Sequence, residues 1–372
     1  MASLADLVHS YDPGAPLERA STIPASWYLD ERLFELERRS VFARSWQMVG
    51  RAEQVNRARQ FISGTTGGDE PVAVVRGEDG ALRAFFNVCR HHAAAVVTEP
   101  EGSAQTLRCP YHGWTYGLDG ALKGTPDFTG VCDFDRTANG LVPLPVGVWE
   151  GWVFVAVDGT SPLEAFLGAD LAARVAPLGL SSLRWMERRR YVLDCNWKVF
   201  VDNYLDGGYH VPHLHKGLDS VLDYGGYTIE NGARFCLQSS PLVTDGAEAA
   251  TGAVRHGDRA HYFWIYPNFM INTYGGAMDT NLVVPLGVGK TEVLFDFYFA
   301  DVSEAARAHN EASIEIADRI QAEDVGICRS VQRGLASRAY TSGRLSVRRE
   351  AGEHLFHRLL HADLRHGLRD RD

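Results

Sequence analysis

Cys89-Arg90-His91-His92 and, with seventeen residues between His91 and the next cysteine, Cys109-Pro110-Tyr111-His112-Gly113-Trp114 decide how this chain folds. Each segment sets one cysteine and one histidine two or three positions apart. Two thiolates and two imidazoles, the side chains that bind soft and borderline metals, are thereby delivered from two loops.

Two metal centres use these four ligands. A [2Fe–2S] cluster of the Rieske kind has cysteines on one iron and histidines on the other, which raises its potential far above that of an all-cysteine cluster. A structural zinc site usually takes its cysteines from one segment and its histidines from another. Here each loop mixes the two, and Gly113-Trp114 and Tyr116-Gly117 continue the Rieske pattern. Cys89, His91, Cys109 and His112 are therefore the expected cluster ligands, with Arg90 and His92 as polar neighbours.

Around these loops, residues 46–160 read as a small all-β domain, with strand-like runs at 71–75, 84–88 and 152–157 separated by Gly, Asp and Asn turn signals. Composition changes over 160–186, where Pro162 and a leucine-rich stretch read as a helix start, so residues 161–372 form a second, larger domain. Its strand-like runs at 262–271, 280–284 and 291–299 precede a helical stretch at 303–334 with Ile316, Ile320 and Ile327 on one face. Strands and long helix occupy separate stretches, which makes the class α+β. Residues 1–45 contain a helix-like run at 30–42 and are expected to pack on the larger domain.

The 372 residues, 45% hydrophobic and 23% charged, have the profile of a folded globular protein. A formal charge of −10 leaves no basic excess to neutralise phosphates, which argues against nucleic acid or an anionic membrane as partner. No apolar run reaches the roughly 18–20 residues needed to span a bilayer, and the first residues do not read as a signal sequence, so the expected location is the cytoplasm. Six thinly spread cysteines fit metal binding and reduced thiols better than a disulfide framework.

A second constellation is Asp202-Asn-Tyr-Leu-Asp206-Gly-Gly-Tyr-His210-Val-Pro-His213-Leu-His215. Non-haem Fe(II) oxygenases hold iron with two histidines and one carboxylate, leaving positions open for O₂ and substrate. Three histidines compete here for two places: helical spacing pairs His210 with His213, while Pro212 could kink the turn and bring His215 round instead.

Together the two motifs resemble the Rieske ring-hydroxylating oxygenase α-subunit family, over nearly the whole chain. Asn196-Trp-Lys-Val-Phe200, the Asp202–His215 motif, Tyr266-Pro-Asn-Phe-Met-Ile-Asn272, Met278-Asp-Thr-Asn-Leu-Val-Val-Pro-Leu-Gly287 and Val331-Gln-Arg-Gly-Leu335 are similar to its choline monooxygenase branch. The resemblance implies a Rieske β-domain beside a catalytic domain built on an antiparallel sheet covered by helices. The family's His-x₄-His pattern selects His210 and His215 as iron ligands, and its downstream aspartate, in an acidic pair, falls on Asp324 of Glu323-Asp324. Asp202, Asn203 and Asp206 are then the candidate catalytic residues around the iron.

Two positions depart from the pattern. Many members carry an acid three residues before the first histidine ligand, linking the iron to a neighbouring subunit's cluster, where this chain has Gly207; Asp206, one residue earlier, could orient His210, with Asp202 as the alternative. Arg329 stands where a glutamate is expected.

The resemblance further implies a homotrimer, O₂ as co-substrate, and electrons from NAD(P)H through a separate flavin or iron–sulfur reductase. It makes the substrate a small quaternary or tertiary ammonium compound such as choline. Such a cation donates no hydrogen bonds and is recognised largely by aromatic faces, for which Tyr204, Tyr209, Trp264, Tyr266, Phe269 and Tyr274 are the candidates, with the 270–287 strands lining the pocket. The same faces suit ring hydroxylation or demethylation of an aromatic or natural-product substrate, although no arginine stands in those strands to clamp a carboxylate. A Rieske electron carrier, the reading from a different class, has no use for the second motif.

Overall fold

The computed structural model describes residues 2–158, 161–243, 249–255 and 257–369; the expected boundary at 160/161 abuts residues 159–160, outside that set. The chain forms two compact units, one of residues 42–166 and one of residues 1–41 with 167–372.

In the smaller unit five strands form an antiparallel sheet in the spatial order Glu101–Ser103, Gln60–Thr65, Pro71–Arg76, Leu82–Phe86, Pro143–Leu144. The run at Pro71–Arg76 is apolar at successive positions because both its faces are covered. Ala73 and Val75 join Phe61 and Phe85 in a core that includes Cys89, Cys109 and Trp114. Val72 and Val74 join Ile62 and Ala84 in a second core against Val153 and Val155. Alternation of side chains across the pleat divides the two sets. A short three-stranded sheet, Leu107–Arg108, Thr115–Tyr116 and Leu122–Gly124, carries the second cysteine loop.

The larger unit is built on a seven-stranded antiparallel sheet in the order Arg184–Leu193, Lys290–Phe299, Ala277–Gly287, Phe269–Tyr274, Arg259–Ile265, Phe235–Pro241, Thr228–Asn231. The run at 262–271 is two strands rather than one. Ile265 pairs with Phe269 across a turn through Pro267, which has no N–H to continue a ladder. The apolar run hid the turn because both flanking strands are largely buried.

Helix Trp197–Leu205 starts at Asn196, whose side chain accepts from the Lys198 N–H and donates to the Val288 carbonyl. Helix Arg307–Leu335 buries Ile316, Ala317, Gln321, Asp324 and Cys328 but leaves Ile327 39% exposed, so the expected isoleucine stripe is covered only along part of its length. The N-terminal segment joins this unit through helix Glu31–Glu37, which continues as a π-helical turn over Arg38–Phe42 and so fills the expected 30–42 run. Glu37, with no exposure, accepts from Lys198 Nζ at 2.6 Å and from Trp197 Nε1 at 2.8 Å, and Lys198 is equally buried. No helix among the described residues is long and apolar enough to cross a membrane.

Breaking a buried ion pair from one side leaves an uncompensated charge, so Lys198→Met is expected to lower unfolding stability by about 3–5 kcal/mol. Glu37→Gln with Lys198→Met should recover much of that loss in denaturant titrations, and a double variant no more stable than the single one would contradict this account.

Candidate metal centre

Helix Trp197–Leu205 ends at Asp206, and the chain then turns through Gly207 and Gly208 with φ of +69° and +68°. A Cβ at Gly207 would lie 2.1 Å from the Arg349 carbonyl oxygen, so only glycine fits this left-handed position. That leaves no room at this position for the acid that the family pattern places there. The turn re-aims the chain so that His210 precedes the short helix Val211–Leu214 and His215 follows it.

His210 and His215 face each other with ring centroids 4.8 Å apart, and Asp324 reaches them from helix Arg307–Leu335. Asp324 Oδ1 lies 3.1 Å from His215 Nε2 and 3.9 Å from His210 Nε2. One ligand atom from each residue falls within 4.8 Å of the others. The opposite ring nitrogens are taken: His210 Nδ1 meets Asp206 Oδ2, and His215 Nδ1 meets Glu323 Oε2, both at 2.6 Å. A carboxylate on Nδ1 holds the proton there and presents the Nε2 lone pair to a metal. The donor set and its orientation fit a ferrous ion with one face open.

His213 is exposed and outside the group, so the structure brings together His210 and His215 of the three histidines. Asn203 donates to Asp324 Oδ1 at 2.9 Å. Asp202 serves elsewhere, accepting from Tyr28 Oη at 2.5 Å and lying 3.0 Å from His357 Nε2, beside the buried Glu353. Burial lowers the His215 pKa, but hydrogen bonds and charge from Asp324 and Glu323 outweigh it and the pKa lies above the ordinary value. Arg329 lies 3.7 Å from Asp194 on the surface, and nothing in the structure explains its departure from the expected glutamate.

In the smaller unit the two cysteine loops repeat one backbone pattern. Cys89 N–H donates to the Ala94 carbonyl and Ala93 N–H to that of Cys89; Cys109 N–H donates to Trp114 and Gly113 N–H to Cys109. Ala93 and Gly113 both have positive φ, +58° and +72°. Both cysteines are buried, and the His91 and His112 rings lie 4.7 Å apart between centroids. His91 Nδ1 is buried without a hydrogen-bond partner, an orphan that a cluster iron would satisfy. Tyr116 Oη, 3.3 Å from Cys89 Sγ, is placed to hydrogen-bond the thiolate.

A cavity of about 120 Å³ opens beside His210, His215 and Asp324. Of the expected pocket aromatics, Tyr204 and Tyr274 line it. The other four do not. Tyr209 is 48% exposed, Trp264 is wholly buried with Nε1 on the Pro267 carbonyl, Tyr266 donates to Asp363, and Phe269 is a buried residue on the other face of the sheet from Tyr262. Trp264 shares the pocket face with Tyr262 but lies further along the strand, against Phe356. The 270–287 strands line the cavity as expected, through Asn272, Tyr274, Asp279 and Asn281, whereas Tyr227, Tyr262 and Arg255 line it and were missed. Strand alternation from Asn272 would have found Tyr262, opposite it.

Residues 45–135 match the Rieske [2Fe-2S] domain and residues 180–365 the catalytic domain of the ring-hydroxylating α-subunit. The chain belongs to the Rieske ring-hydroxylating oxygenase α-subunit family. This α-subunit is 41% identical to the chloroplastic choline monooxygenase of Arabidopsis thaliana, over 98% of this chain and 88% of that protein. It is 32% identical to the carnitine monooxygenase oxygenase subunit of Escherichia coli K12, over 87% and 86%. A quaternary ammonium Rieske monooxygenase solved with L-carnitine superposes with a TM-score of 0.80 at 28% identity, covering 94% of this chain and 96% of that one. Naphthalene 1,2-dioxygenase, at 18% identity and a TM-score of 0.75, shares the fold. The α-subunit is thus a monooxygenase-type oxidoreductase with a Rieske domain and a non-haem iron domain.

Asp324→Ala should lose about one iron per chain while keeping the cluster's visible and EPR spectra, whereas His213→Ala should keep both. Metal analysis showing the reverse for His213 and His215 variants would refute the ligand set. Because His215 must give up its proton to bind metal and its pKa is raised, ferrous affinity of the iron-depleted α-subunit should strengthen as pH rises through that pKa, as read by competitive chelation.

Proposed function

We propose that this α-subunit is the oxygenase component of a Rieske monooxygenase that hydroxylates a small quaternary or tertiary ammonium compound such as choline. The observation that carries the reading is the cavity at the iron site, walled by Tyr204, Tyr227, Tyr262 and Tyr274. Each aromatic face contributes on the order of 0.5–2 kcal/mol to a desolvated cation, and the choline and carnitine specificities of the similar enzymes support the same class.

When bound by Cys89, His91, Cys109 and His112 and by His210, His215 and Asp324, the cluster supplies single electrons and the ferrous ion the oxygen chemistry. One oxygen atom of O₂ enters a C–H bond of the substrate and the other leaves as water, consuming two electrons and two protons. NAD(P)H is the electron source, through a flavin or iron–sulfur reductase. Three copies form a ring in which the cluster of one subunit serves the iron of the next, a reading that rests on the family. Asp206 fixes the His210 ring and stands where the linking acid is needed, while the tyrosines hold the substrate and displace water from the open face. The cytoplasm is the proposed compartment, consistent with six cysteines of which none is paired in a disulfide.

Purified protein should consume O₂ in a substrate-dependent way with a surrogate reductase when given choline, carnitine or betaine. Coupled turnover of benzoate-type acids with none of these would sink the reading. Asp206→Asn is expected to slow cluster-to-iron electron transfer about 10–100-fold with both metals retained; an unchanged single-turnover rate would assign the link to another group.

A further inference from the structure

The same cavity holds two buried side chains of opposite charge type. Arg255 and Asp279 are each 6% exposed, and both line it. Arg255 Nη1 donates to Ser313 Oγ at 2.6 Å, and the guanidinium carbon sits 4.5 Å from the Tyr274 ring centroid. Its Nε is buried with no hydrogen-bond partner. A guanidinium offers five N–H donors in a planar fork that matches a carboxylate. An unmade buried donor is costly, so a guanidinium anchored through Nη1 on Ser313 with its Nε unpaired at a cavity wall is set for an incoming acceptor.

Asp279 is not that acceptor. Its Oδ2 takes hydrogen bonds from Asn272 Nδ2 at 2.7 Å and Asn281 Nδ2 at 3.0 Å, and no hydrogen bond joins it to Arg255 among the described residues. Burial raises its pKa, against the effects of Asn272, Arg255 and Asn281.

The two ends of the cavity also differ. Ser313, which anchors Arg255, precedes Asp324 by eleven residues on helix Arg307–Leu335. At 1.5 Å per residue that is roughly 16 Å along the axis, and Ala317, Ile320 and Gln321 line the cavity between them. Arg255 therefore marks the end remote from the iron ligands.

We infer that the substrate is a zwitterion, a quaternary ammonium carboxylate whose carboxylate docks on Arg255 and whose ammonium head lies among the tyrosine faces beside Asp279, toward His210, His215 and Asp324. This rests on the ammonium reading above and narrows it: choline carries no anion and leaves Arg255 Nε unpaired, while a carboxylate at the far end fixes which carbons on nitrogen face the iron.

The test uses the metal-loaded holoenzyme with choline, glycine betaine and carnitine, by anaerobic calorimetry and by product-coupled O₂ uptake. The carboxylates should bind about tenfold or more tighter than choline, as expected for a buried charge-assisted bidentate pair. Arg255→Gln should raise KM for the carboxylates by about tenfold with a smaller change in kcat, collapsing the preference over choline. Ser313→Ala, which only frees the guanidinium, should move the preference the same way to a smaller extent and keeps the test decisive if Arg255→Gln does not fold. Choline preferred over both carboxylates, or a preference unchanged in both variants, overturns the zwitterion and leaves the ammonium reading standing. Turnover of aromatic acids alone overturns both.

Discussion

Everything in the larger unit answers to one constraint: three ligands must meet at a point while one side of that point stays open. His210 and His215 come from a single turn of chain, and Asp324 arrives from 109 residues beyond His215. A continuous helix through 202–215 would scatter the two imidazoles to different faces. The left-handed pair Gly207-Gly208 breaks it, and the contact between Gly207 and the Arg349 carbonyl leaves no room for a side chain.

Holding the ligands requires that their supports be rigid. Asp206 and Glu323 clamp the outer nitrogens of the histidines, and Asn203 restrains Asp324. The helix that bears Asn203 is itself fixed at its start by Asn196 and by the buried Glu37–Lys198–Trp197 group, which ties the N-terminal segment to it. A buried ion pair is a costly way to gain stability but a strict way to set position, since each charge is tolerated only against the other. On the same helix, Asp202 bonds to Tyr28 and His357, so positions four residues apart serve the anchor and the metal site in turn.

The cavity shows how a sheet builds a chemically mixed pocket. Tyr262, Asn272 and Asp279 come from three neighbouring strands at paired register positions, whereas Arg255 and Gln321 come from outside the sheet. Each buried polar group there demands a partner, and those left unsatisfied, Arg255 Nε and Gln321 Nε2, lie at or beside the cavity wall. A tyrosine face takes a cation without asking for a hydrogen bond, so one pocket can offer charge pairing at one end and aromatic contact along the rest.

Both metal motifs, the α+β class and most strands were legible in the sequence, because ligand spacing and apolar alternation are local properties of the chain. Cys89, His91, Cys109 and His112 lie within 24 consecutive residues, and His-x₄-His within six. The choice of His215 over His213 needed the family likeness, since local spacing alone left both open. Tertiary structure decided what depends on meetings distant in sequence: Glu323 on His215, Asp206 rather than Asp202 on His210, and Arg255 in the pocket in place of Trp264, Tyr266 and Phe269. An aromatic in a strand announces that it will be buried, but whether it faces a cavity or the underside of a helix is set by what packs above it. For Trp264 that is Phe356, nearly a hundred residues away, and no local rule reaches so far.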